Sequence, residues 1–174
     1  MGRTILDVGC GNRPRGTVNC DLYTGQHVVR APLNLKQIPN FVLCDASNLP
    51  FTDNSFDMVL ASHILEHLDC PIVALKEWKR VAKSKVIVAV PDFSMYKLVM
   101  DERDHIYTWT MWSLEHLMNR IFSKVTVHGN RRVLIWSRKG KLPVFVNFIF
   151  KRFLSYFPTF DKGELIAVGF CAPV

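Results

Sequence analysis

Three kinds of residue recur where apolar runs end in the first half of the chain: the glycines Gly9 and Gly11 around Cys10, the carboxylates Asp7, Asp21 and Asp45, and the pair Ser62-His63. Glycine at a strand end lets the chain turn sharply and lets a ligand approach bare backbone. A carboxylate only accepts hydrogen bonds and has two oxygens, so Asp21 could hold two adjacent ribose hydroxyls, or it could simply cap its strand. Asp45 could accept from an adenine amino group beside the backbone of Ala46, or close an Asx-turn over Ser47. His63 titrates near neutral pH and suits a general base, although a histidine at a helix start often just bonds its neighbours. Glu66 and His67 follow three and four residues on, on roughly the same helical face, where they could organise His63.

The elements that must position these residues follow from the apolar pattern. Segments 4–10, 17–23, 41–47, 56–62 and 85–92 are short, rich in β-branched residues and bounded by polar, Gly or Pro punctuation, with little alternation. Such runs predict strands buried on both faces, as in a parallel sheet. Helices are predicted over 64–83 and 108–122, the second with Trp109, Trp112, Leu117 and Ile121 in a stripe, and weakly within 24–38. Strands at 124–129 and 164–170 complete the pattern. The alternation predicts one α/β domain built on a mostly parallel sheet.

Between Gly11 and the second strand lie only Asn12, Arg13, Pro14, Arg15 and Gly16, too few for a crossover helix. A dinucleotide's pyrophosphate would want a helix N-terminus and the GxGxxG spacing, and neither is present. An adenosine ligand without phosphates loses nothing by that absence, which points from NAD or ATP toward S-adenosylmethionine.

The 174 residues carry a net charge of +7, and between Lys124 and Arg152 there are eight bases and no acid. Within the predicted insertion, about 130–163, Val144, Phe145, Phe148, Ile149, Phe153 and Tyr156 could line one side of a helix behind Arg131, Arg132, Arg138, Lys139 and Lys141. A substrate lid, an interfacial helix in peripheral contact with a membrane, and a homodimer patch all fit this composition, and nucleic acid is a further partner for the charge. The five cysteines form no CxxC pair and no Cys/His spacing for a tetrahedral metal site, so no metal is expected, and reduced thiols suit a cytoplasmic protein. No signal-peptide core and no uncharged run of the roughly 18 residues needed to span a bilayer is expected either.

Taken in order, "ILDVGCG", Asp21, "CDASNLPFTDNSFDMVLASHILEHL" and "VIVAVPD" resemble the class I S-adenosylmethionine-dependent methyltransferases, especially the type 11 group, over residues 4–128. The resemblance implies a Rossmann-like, doubly wound and mostly parallel sheet whose last strand is antiparallel, a methionine end of the cofactor site at Gly9, Cys10 and Gly11 with Asp7 organising it, ribose binding at Asp21, adenine binding at Asp45 and Ala46, and Ser62 and His63 facing the sulfonium and the acceptor. Leu49 and Pro50 would support the cofactor wall. It also implies a methyl-group acceptor, a small molecule or lipid-linked metabolite first and nucleic acid second. A non-catalytic protein of the same fold, binding nucleic acid or a partner, is the rival. The chain departs from the family pattern in beginning its first strand at residue 4 and in reducing the first crossover to "NRPRG", which would leave the site open on one side. "ASHI" after the fourth strand, in place of an Asp/Asn-Pro-Pro-aromatic turn, disfavours a DNA amino-methylase.

Overall fold

Among the described residues, seven strands form one sheet in the order β3-β2-β1-β4-β5-β7-β6. The computed structural model describes residues 2–22, 32–93, 105–129 and 164–171. The strands are β1 (Ile5–Val8), β2 (Val18–Asp21), β3 (Phe41–Leu43), β4 (Phe56–Ser62), β5 (Ala82–Pro91), β6 (Lys124–Gly129) and β7 (Glu164–Phe170). β1 to β5 run parallel, and β7 lies antiparallel between β5 and β6. The order reverses at β1, which has β2 on one side and β4 on the other, and such a switch point opens a crevice beyond the strand C-termini.

Two α-helices lie among the described residues, α1 (Pro71–Val81) and α2 (Met111–Asn119). α1 is much shorter than the predicted 64–83. Pro71 has no N–H to give to a preceding turn, so it starts a helix rather than continuing one. Before it, Leu65–His67 form only a 3₁₀ turn. α2 starts where the Thr110 hydroxyl accepts from Ser113 N while Ser113 Oγ accepts from Thr110 N, a reciprocal cap that keeps residues 108–109 out of the helix. Of the weak helix within 24–38, the described part holds a 3₁₀ turn at Leu35–Gln37. The insertion 130–163 lies outside the described residues.

Pro71, Ala74, Leu75, Trp78 and Val81 of α1 and Leu114 and Met118 of α2 are buried with Leu6, Val59, Val88 and Leu165, which alternate onto one face of the sheet. Met58, Leu60, Ile87, Ile166 and Val168 form a smaller buried cluster on the other face.

The short first crossover is held by side chains instead of a helix. Asp7 accepts from Arg15 N at 2.8 Å. Asn19, fully buried, accepts from Gly16 N at 2.8 Å and donates to the carbonyls of Gly16 and Pro39. A Cβ at Gly16 would stand 2.3 Å from Val18 O and 2.8 Å from Asp7 N, so only glycine lets the loop pass this close to β1 and β2.

Candidate functional site

At the C-terminal ends of β1, β2 and β3 lies a cleft of ≈ 560 Å³. Gly9, Asp21, Asp45 and Ala46 all line it, with Val8, Leu22, Ile64, Leu68, Val73 and Ile106 giving it apolar walls. Gly9 N and Cys10 N both donate to Cys20 O, at 2.8 and 3.1 Å, which fastens the glycine turn to the end of β2. Gly9 adopts φ +69°, and a Cβ there would sit 2.5 Å from Ile64 Cδ1, across the cleft wall. Asp21 accepts from Gly11 N at 3.0 Å, so one of its oxygens ties the turn together.

Asp45 does close an Asx-turn, accepting from Ser47 N at 2.7 Å, and it still lines the cleft. The loop that carries it is stapled to α1. Trp78 Nε1 donates to Ala46 O at 2.9 Å, Glu77 accepts from Leu49 N, and Arg80 donates to the carbonyls of Leu49 and Phe51 and to Asp53. Leu49 is buried behind the cleft wall. The side chains of α1 thus fix the height of Asp45 and Ala46 relative to the strand ends.

Asp7, Cys10, Gly11, Ser62 and His63 are not among the residues lining the cleft. Asp7 is 2% exposed and braces the first crossover from within. Burial pushes its carboxyl up to about 7, against the lowering effect of the Arg15 N–H and guanidinium and with a contribution from Asp21. Ser62 Oγ is buried without a hydrogen-bond partner. His63 has φ +55°, an unusual conformation for a residue with a side chain, and its N donates to Ala89 O. Its ring is clamped between two carboxylates, Nε2 2.5 Å from Glu164 Oε1 and Nδ1 3.4 Å from Glu66 Oε1. Burial alone would lower the imidazole pKa, but Glu164 and Glu66 outweigh it and hold it at about 9.

Glu164, at the start of β7, is a partner of His63 that the sequence reading missed. It is 3% exposed and stands more than a hundred residues from His63 in the chain. The one local signal was an acid opening an otherwise apolar strand. A second unforeseen grouping brings donor atoms of Glu66, His67 and His105 within 4.8 Å of one another. Among the described residues no helix is long and apolar enough to cross a membrane.

A methyltransferase-domain family model matches residues 6–90, the span from β1 through β5 that builds the cleft. Residues 6–90 thus carry a class I, type 11 methyltransferase domain. Its relatives include a demethylmenaquinone methyltransferase of Renibacterium salmoninarum, 30% identical over 73% of this chain and 56% of that protein. Another is the human protein named "Probable tRNA methyltransferase 9B", 25% identical over 80% of this chain and 32% of that one. The chain therefore spans about half, or less, of the length of these relatives. Among solved structures, an S-adenosylmethionine-dependent methyltransferase from Thermotoga maritima matches with a TM-score of 0.64 at 17% identity, covering 98% of this chain and 83% of the other. That likeness bears on the fold, where it agrees with the seven-stranded order.

Proposed function

We propose that the chain transfers a methyl group from S-adenosylmethionine to a small-molecule or lipid-linked acceptor. The observation that carries the reading is the cleft itself, which gathers Gly9, Asp21, Asp45 and Ala46 from three strand ends and offers no helix N-terminus at the first crossover for a phosphate. Asp21 would accept from the ribose hydroxyls, Asp45 and the backbone of Ala46 would meet the adenine, and the turn at Gly9 to Gly11 would take the methionine end. The cofactor supplies a methyl carbon already activated by positive sulfur, so the protein's part is alignment of the acceptor with it.

Both ring nitrogens of His63 face carboxylates, which leaves neither directed to an acceptor. His63 then acts as a brace that joins the end of β4 to the 3₁₀ turn and to β7. The similarity to a demethylmenaquinone methyltransferase supports a quinone-like or lipid-linked acceptor.

Isothermal titration with S-adenosylmethionine and with S-adenosylhomocysteine tests the reading. Micromolar binding of either supports it. An absence of binding up to millimolar concentration overturns it and favours a binding protein of the same fold.

A further inference from the structure

We propose that Glu66, His67 and His105 form a binding site for a divalent transition-metal ion at the rim of the cleft. Glu66 is 1% exposed, and neither of its carboxylate oxygens has a hydrogen bond. Its Oε1 makes an ion pair with His63 Nδ1 at 3.4 Å, an imidazole held more closely by Glu164 at 2.5 Å, and Oε2 has no hydrogen-bond partner. Two buried carboxylates thus share one imidazole. A buried carboxylate oxygen without a bonding partner is costly, and a cation bound at Oε2 would remove that cost.

The other two ligands are brought to Glu66 by the fold. His67 follows it on the 3₁₀ turn and lines the cleft. His105 comes from a segment beyond β5, and that segment is fastened to the turn by two backbone bonds, Ile106 N and Tyr107 N both donating to Glu66 O, at 2.9 and 3.1 Å. The imidazoles of His67 and His105 consequently lie with centroids 4.7 Å apart and tilted by 59°. Their donor atoms and a Glu66 oxygen fall within 4.8 Å of one another. Tetrahedral coordination at about 2.1 Å needs ligand atoms roughly 3.4 Å apart, so the three side chains would draw together on binding.

Two imidazoles and one carboxylate suit zinc, cobalt or ferrous iron better than magnesium or calcium, which favour all-oxygen sets. Three protein ligands leave open positions, and with His67 on the cleft wall those positions can take an acceptor oxygen. That use rests on the methyltransferase reading above, whereas metal binding does not.

The test is uptake by the full chain. Purified protein, stripped with chelator, is dialysed against Zn²⁺ or Co²⁺, and bound metal is measured by elemental analysis, with the cobalt spectrum recorded in parallel. One equivalent is expected, with visible bands of nitrogen and oxygen ligation and no thiolate charge-transfer band. His105→Ala and His67→Ala should each weaken binding at least tenfold. Melting temperatures of the stripped proteins report whether each variant folds, and His105→Gln replaces His105→Ala if the latter does not. No uptake by the wild type, or undiminished uptake by the His67→Ala/His105→Ala double variant, overturns the proposal. S-adenosylhomocysteine titration of the stripped wild type is read separately, so that loss of the metal site and loss of the cofactor site are distinguishable.

Discussion

Replacing Asp7 with Asn should make the protein less sensitive to rising pH, and the effect can be worked from the surroundings of the carboxyl. Asp7 is buried beneath the first crossover, accepts from Arg15 N, and faces the charges of Arg15 and Asp21. In the unfolded chain it ionises near 3.8, whereas burial holds its proton until about 7 in the fold. Between these values the folded state binds the extra proton. The contribution of Asp7 to stability is therefore fully present at low pH and is lost as pH rises through about 7. Each unit is ~1.4 kcal/mol, so from pH 5 to pH 8 the loss is about 3 kcal/mol, large against a typical total of roughly 5–15 kcal/mol. Asn has the same shape and keeps an acceptor for Arg15 N, yet carries no charge. Urea denaturation of both proteins at intervals from pH 5 to pH 8 gives the difference in stability directly, and His63, common to both, cancels. The Asn variant should gain on the wild type by about 3 kcal/mol across that range. A difference that stays constant with pH would refute the reasoning, because Asp7 would then not be holding a proton.

Three further outcomes are expected. Asp21→Ala should weaken S-adenosylhomocysteine binding in calorimetry by roughly 1–3 kcal/mol, about five- to 150-fold, and unchanged affinity would rule out the ribose assignment. Gly9→Ala should lower the melting temperature, since a left-handed φ costs roughly 1–2 kcal/mol for a residue with a side chain and the new methyl would press on Ile64. An unchanged melting temperature would mean that the turn is free to relax. Trp78→Phe removes the bond to Ala46 O and should cost about 1 kcal/mol of stability while also weakening cofactor binding. A loss of stability alone would mean that Ala46 does not need α1 to hold it.

Strands were the most legible part of the fold. For β4, β6 and β7 the boundaries read from apolar runs coincide with those observed, because each run is stopped on both sides by residues that suit turns or solvent. The helix predicted over 64–83 was too long because the apolar pattern continues through Pro71, while the missing N–H of Pro71 starts a new helix there. At the site, what lies within one strand and its turn could be read locally, as with Gly9, Asp21, Asp45 and Ala46. What depends on meetings across the sheet could not. Glu164 reaches His63 only once β7 has inserted beside β5, and His105 reaches Glu66 through backbone bonds that leave no trace in the spacing of side chains.

β6 and β7 are neighbours in the sheet, and Gly129 pairs with Leu165, so the residues that flank positions 130–163 are held side by side. The free energy of joining two such fixed ends by a flexible connection depends only weakly on its length, and a tenfold shortening would return just ~2 kcal/mol. Evolution could therefore rewrite, lengthen or discard this segment as a cassette while the strands that build the cleft keep their register, and new specificities could be tried without refounding the fold.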